Sequence, residues 1–131
     1  MINWQNEIPL IEDACAPKQI DPAFVMAIRQ AENGAPGREF GVLSQSAPTY
    51  ADQLRVCIAT VAHRLESFPG NPLVRDAFGR IRYNAKWVAY FQSIWAPSGL
   101  DVHVDNDPNG LNANWLKNVL HFYEMHIGGK I

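Results

Sequence analysis

The chain of 131 residues carries 11 Lys or Arg against 13 Asp or Glu, a formal charge of −2, and is 47% hydrophobic and 18% charged. Enough apolar surface is present to close one core, which excludes disordered, collagen-like and coiled-coil chains. With a pI near 6.0 and no run of Lys or Arg, the chain lacks the basic face that phosphate neutralisation requires, so nucleic acid is not an expected partner.

The apolar spacing is helical almost throughout. The first helix is expected over about residues 6–16 on Ile8, Ile11 and Cys15, with Pro9 tolerated only in the first turn, where its missing N–H has no intrahelical partner to lose. Asp21 then supplies an N-cap and Pro22 the first helical position. Phe24, Ala27, Ile28 and Ala31 line one face until Asn33-Gly34 ends the run, which leaves Glu32 on the last turn. Residues 35–48 break the pattern and read as an ordered loop. The strongest element covers 49–68: Leu54, Cys57, Ile58, Val61, Leu65 and Phe68 recur at three and four. Thr49 with Asp52 makes a capping box, and Phe68-Pro69-Gly70-Asn71-Pro72 stops the helix.

A helical turn is expected at 72–78. Asn84 caps a helix built on Trp87, Val88, Phe91, Ile94 and Trp95, and Asn112 caps another built on Trp115, Leu116, Val119, Phe122 and Tyr123. Between them, residues 96–110 read as a second ordered loop. Phe40 to Leu43 and Ile81 to Tyr83 are too short to carry a sheet by themselves. The expected class is mainly α, with five to seven helices and little or no sheet. Without an internal repeat or a low-complexity linker, residues 1–131 read as a single domain.

Most chemistry-bearing patterns are missing. Cys15 and Cys57 stand among apolar residues in neither a C-x-x-C pair nor a zinc spacing, and read as buried free thiols. His121 and His126 are five apart, on different faces of a helix, and no metal site is expected. Ser44 and Ser46 lack a nucleophile elbow. The run from Asp105 to Gly110 lacks the alternation and the terminal bidentate Glu of a calcium loop. No stretch approaches the roughly 18 apolar residues of a membrane span, and the first residues show no basic and apolar export signal. The expectation is a chain made in the cytoplasm without a signal peptide.

Glu32 stands apart, because a carboxylate at the C-terminal end of a helix faces unpaired carbonyls and the negative end of the dipole. That position favours the protonated acid over the anion, and an aromatic wall would add to the effect. The carboxyl would then hold its proton above the roughly 4.3 of free Glu, as a general acid requires.

Ala27-Ile28-Arg29-Gln30-Ala31-Glu32-Asn33-Gly34, followed by Phe40-Gly41-Val42-Leu43-Ser44 and by Pro48-Thr49-Tyr50, resembles the first motifs of the lysozyme-like lytic transglycosylases. Further on, Trp95-Ala96-Pro97, Asn106-Asp107-Pro108 and Gly110-Leu111-Asn112 with Trp115, Asn118 and Val119 are similar to a pattern of small phage- and prophage-borne members. The likeness covers about residues 20–120. It implies a single lysozyme-like domain with Glu32 as the acid/base, Gly41-Val42-Leu43-Ser44 as the turn lining the glycan cleft, and Tyr83-Asn84 as counterpart of an A-Y-N motif. Ser44 stands where the family has Gln, and Arg82 where it has Ala.

The substrate so implied is the MurNAc-GlcNAc glycan strand of peptidoglycan, at the bacterial cell wall or periplasm, with phage tail or virion proteins as further partners. No cofactor is implied. Candidate substrate-binding residues are Phe40, Gly41, Ser44, Gln45, Tyr50, Tyr83 and Asn84, of which Phe40, Tyr50 and Tyr83, with Trp95, could stack on sugar rings. A lytic transglycosylase needs one carboxyl group, whereas glycoside hydrolases use two. Glu39 is the candidate second carboxylate, Asp52 being engaged in capping. A lysozyme-type muramidase on the same fold and a non-catalytic helical phage structural or binding module are the alternatives.

Overall fold

The computed structural model describes residues 2–43, 45–95 and 114–131. The chain divides into two compact units, Met1–Ser67 and Phe68–Ile131. Its described elements are mainly helical.

In the first unit, α1 (Trp4–Cys15) runs into a short 3-10 turn (Ala16–Lys18), followed by α2 (Pro22–Glu32) and α3 (Tyr50–Ser67). α1 begins two residues before the expected start, so Pro9 falls in its second turn rather than its first. Pro9 is exposed, and the carbonyl it cannot serve belongs to the exposed Gln5, which water can satisfy. At the start of α2, Asp21 accepts the N–H of Ala23 at 3.0 Å with Pro22 at the first helical position, as the cap pattern predicts. Asn33 closes the helix in the left-handed conformation, its N–H bonded to the carbonyl of Arg29 at 2.8 Å. Thr49 caps α3 through the N–H of Asp52 at 3.1 Å.

Every residue from Ala23 to Arg29 is buried. Such a stretch is core on all sides, and an arginine within it needs a counter-charge. Glu7 of α1 supplies it: Arg29 Nε donates to Glu7 Oε1 at 2.7 Å and Nη2 to Oε2 at 3.3 Å. The hydroxyl of Tyr50, first residue of α3, donates to the same Oε1 at 2.8 Å. One carboxylate thus joins three helices. Burial works against the Glu7 anion, but the hydrogen bonds from Arg29 and Tyr50, the Arg29 charge and the N–H of Asn3 outweigh it and hold the carboxyl below its ordinary 4.5. Burial, and then the bond to Glu7, push the Tyr50 phenol up, so it keeps the proton it donates.

The second unit opens with a two-stranded antiparallel hairpin, β1 (Leu73–Arg75) and β2 (Ile81–Tyr83), pairing Leu73 with Tyr83 and Arg75 with Ile81. This overturns the helical turn expected at 72–78. The reason is Asp76, whose Oδ1 accepts the N–H groups of Phe78 and Arg80 while Oδ2 takes Arg82 Nε at 3.0 Å. Gly79 supplies the positive φ of 77° that such a turn needs. The loop is closed by its own side chain, and helical spacing cannot register that. α4 (Ala85–Trp95) starts where Asn84 Oδ1 accepts the N–H of Trp87 at 2.9 Å, and it packs against α5 (Trp115–Ile127). Trp87, Phe91 and Trp115 are core as expected, with Phe91 stacked on Trp115 at 6.0 Å; Phe122 is only half-buried. The expected loop at 96–110 and the Asn112 cap lie outside the described residues. Among the described residues no helix is long and apolar enough to cross a membrane.

The Glu7 pair fixes a pH dependence. A carboxyl held low when folded stabilises the native state fully above its unfolded value of 4.5, and the contribution is lost as pH falls through the depressed value. Glu7→Gln should cost about 3 kcal/mol at neutral pH, because Arg29 is left buried and unpaired. It should also flatten the decline of stability with acid below about pH 4.5. Urea unfolding followed by circular dichroism across this range checks both; an unchanged acid profile in the variant would contradict the assignment.

Candidate functional site

Glu32 is the last residue of α2, where the chain turns through left-handed Asn33 into Gly34. A side chain at Gly34 would run into the carbonyl of Arg38, so the loop can fold back on the helix end only without one. The loop continues through two turns closed by the N–H of Arg38 on Ala35 and the N–H of Gly41 on Arg38, at 2.8 and 3.0 Å. Gly41, at φ 76°, then comes to rest against the Glu32 carboxyl. A Cβ there would stand 2.6 Å from the carboxyl carbon and from Oε1, and 2.9 Å from Oε2. Glu32 is therefore half-buried with its carboxyl seated on glycine backbone.

What holds Gly41 in place is Gln53, a side chain with 0% exposure on α3. Its Oε1 accepts the N–H groups of Phe40 at 3.3 Å and Val42 at 3.1 Å, the two neighbours of Gly41. Its Nε2 donates to the carbonyls of Val42 and Ala47, both at 2.8 Å. One amide thus satisfies four backbone groups of a loop whose described residues form neither helix nor strand, which is why a polar side chain can lie in the core. Arg29 adds a longer bond from Nη1 to the carbonyl of Glu39 at 3.5 Å.

The remaining candidates are placed as follows. Phe40 is fully buried and packs edge-on to Tyr50 at 5.5 Å, so its ring is core and offers no face to a sugar. Tyr50 is half-buried with its hydroxyl committed to Glu7. Glu39 is half-buried and turned back on its own loop, Oε1 accepting the N–H of Gly37 at 3.1 Å. Gln45 is exposed, and Ser44 lies outside the described residues. Tyr83 and Asn84 belong to the second unit. Tyr83 is buried with its ring 4.7 Å from Trp87 and its N–H on the Tyr123 hydroxyl at 2.9 Å. Asn84 is half-buried; besides capping α4 it donates from Nδ2 to the carbonyl of Asn71 at 2.7 Å. The structure thus brings Glu32, Gly41 and Glu39 onto one helix end and its loop, with Phe40 beneath them.

Cys57, on the same row of α3 as Gln53, is fully buried; burial first, then the neighbouring Cys15 and Glu32, push its thiol well above the ordinary range. Burial also raises Cys15, to about 12, and both cysteines are free. Neither can supply a thiolate nucleophile near neutral pH. Among the described residues no group of three His, Cys, Asp or Glu side chains converges in a way that could hold a metal ion.

Sequence reasoning missed Gln53, Arg29 and Glu7 as members of this framework. A signal for Gln53 existed: it stands four residues before Cys57 and eight before Val61, on the apolar stripe. No protein-family model matches the chain, and no curated protein or solved structure is significantly similar to it.

The seat for Glu32 can be tested with two glycines of nearly equal φ. Gly79, at φ 77°, has nothing within 4 Å of an added Cβ, so Gly79→Ala should cost only the left-handed strain of about 1–2 kcal/mol. Gly41→Ala adds a collision with the Glu32 carboxyl and should cost about 2 kcal/mol more. Denaturant unfolding of the two variants checks this; equal losses would show that the carboxyl does not rest there.

Proposed function

We propose that this chain is a lytic transglycosylase of the lysozyme-like class that cleaves the MurNAc-GlcNAc strands of bacterial peptidoglycan, with Glu32 as its acid and base. The observation that carries the reading is the seat of Glu32: one carboxyl at a helix C-terminus, resting on the backbone of Gly41 in a loop that Gln53 pins from below. The E-N-G segment and the Phe40-Gly41-Val42-Leu43 turn support it, because they are two of the segments that resemble the family and they meet at that carboxyl.

The chemistry asks for little more. One positioned carboxyl that can give a proton and take one back is all the acid/base chemistry this route uses. Glu32 hands its proton to the glycosidic oxygen as the bond to MurNAc C1 breaks. The resulting carboxylate then takes the proton of the same sugar's 6-hydroxyl, whose oxygen closes on C1 and leaves a 1,6-anhydro ring. Atoms and protons balance without water, a metal or a cofactor. Glu39 would be needed only by a muramidase, in which water replaces the 6-hydroxyl; its bond to Gly37 N–H ties it to its own loop. The sites of action under this proposal are the cell wall or periplasm, with phage tail or virion proteins as carriers.

Digestion of purified peptidoglycan followed by mass analysis of the fragments tests the proposal. The parent chain should release anhydro-muramic ends, and Glu32→Gln should lose at least about 100-fold in rate. Reducing ends would instead identify a muramidase. Equal release by both proteins would remove Glu32 from the reaction, and release by neither would favour a non-catalytic phage structural module.

A further inference from the structure

The hairpin of the second unit carries three large apolar side chains that stand in water: Leu73 at 43%, Phe78 at 67% and Ile81 at 55% exposure. Arg75 and Arg80 lie between them, both exposed. From residue 68 to residue 95 the only acidic residue is Asp76, against Arg75, Arg80, Arg82 and Lys86. Asp76 presents little negative charge outward, because Arg82 and the N–H groups of Phe78 and Arg80 already surround its carboxylate. Arg75 Nη1 donates to the carbonyl of Gly79 at 2.7 Å, which holds its guanidinium at the turn. The Phe78 ring reaches the end of α5, where Cε2 lies 3.6 Å from the place of a Cβ on Gly128. Gly128, the exposed Met125, Lys130 and Glu124 line one shallow hollow there, with Lys130 Nζ 3.9 Å from Glu124 Oε1, so the cations this edge offers are those of the hairpin. Apolar side chains and cations therefore share an edge of this unit.

A partner has to answer both. A soluble polyanion meets the arginines but leaves Phe78, Leu73 and Ile81 in water, and an apolar protein groove leaves the guanidinium groups without counter-charge. The boundary of an anionic bilayer offers acidic headgroups directly above acyl chains. A rigid turn with an aromatic side chain at its tip and arginines beside it can enter that boundary, ring buried and cations at headgroup level. We infer that the 73–83 hairpin is a docking element for an anionic lipid surface, with Phe78 as the inserted side chain. This contact stands independently of the cell-wall reading.

Sedimentation of the whole chain with vesicles of mixed phosphatidylglycerol and phosphatidylcholine, against phosphatidylcholine alone, tests the inference. Binding is expected to the acidic vesicles only, weakened about tenfold or more in Phe78→Ser and by at least about tenfold in the Arg75→Gln, Arg80→Gln double variant. Matching circular dichroism of parent and variants shows that the fold is kept. Because Cys15 and Cys57 are buried, Ala77→Cys can be labelled selectively with an environment-sensitive dye, whose emission should shift to the blue on acidic vesicles. Absence of binding, equal binding by Phe78→Ser, or the same dye shift with soluble polyphosphate would overturn the lipid assignment, the last by giving the arginines to a soluble polyanion.

Discussion

A guanidinium in a helical stretch buried on every side must be met by a counter-charge, and this requirement organises the first unit. Arg29 and Glu7 have side chains only 7% and 12% exposed. Breaking such a pair is costly mainly because one buried charge is left alone, whereas the intact pair adds little over a well-packed apolar substitute. The value of the pair is therefore specificity of arrangement. It fixes α1 to α2, and the Tyr50 hydroxyl adds the start of α3 to the same carboxylate. The end of α2 is then set with respect to α3, and the loop between them has fixed ends.

On that frame one side-chain amide, rather than a ladder, makes most of the bonds that tie the loop to the helices. Gln53 takes both N–H groups flanking Gly41 and two carbonyls beyond it. Gly41 in turn has no room for a side chain, because the Glu32 carboxyl occupies the space. The dependence runs one way: the ion pair places the helix ends, the amide places the loop, and the loop seats the carboxyl. The proton transfer proposed for Glu32 would gain from such preorganisation, since the geometry of the carboxyl is settled in advance.

Much of this was legible in the chain. Asp21-Pro22, Asn33-Gly34 and Thr49 mark three helix ends within a residue of where they fall, because capping is local chemistry. Asn84 does the same for α4. The 72–78 segment was misread because Asp76 folds its hairpin through side-chain bonds reaching up to Arg82, which no helical spacing records. Phe40 looked like a surface aromatic because it sits in a loop; Gln53 draws that loop down and carries the ring into the core. Glu7 and Arg29 are 22 residues apart, and neither bears any local mark of its partner. Local signals gave the helix ends and the place of Glu32 on the last turn of α2, while the long-range polar framework beneath them needed three dimensions.

The central claim is that the carboxyl seated on Gly41 is where a glycan strand is handled. The most direct measurement is amide chemical-shift mapping on the Glu32→Gln chain, which the proposal expects to turn over far more slowly, during titration with soluble peptidoglycan fragments. The account predicts the largest shifts at residue 32 and at the Gly41 and Val42 amides. Saturating fragments that leave these amides unmoved would contradict it.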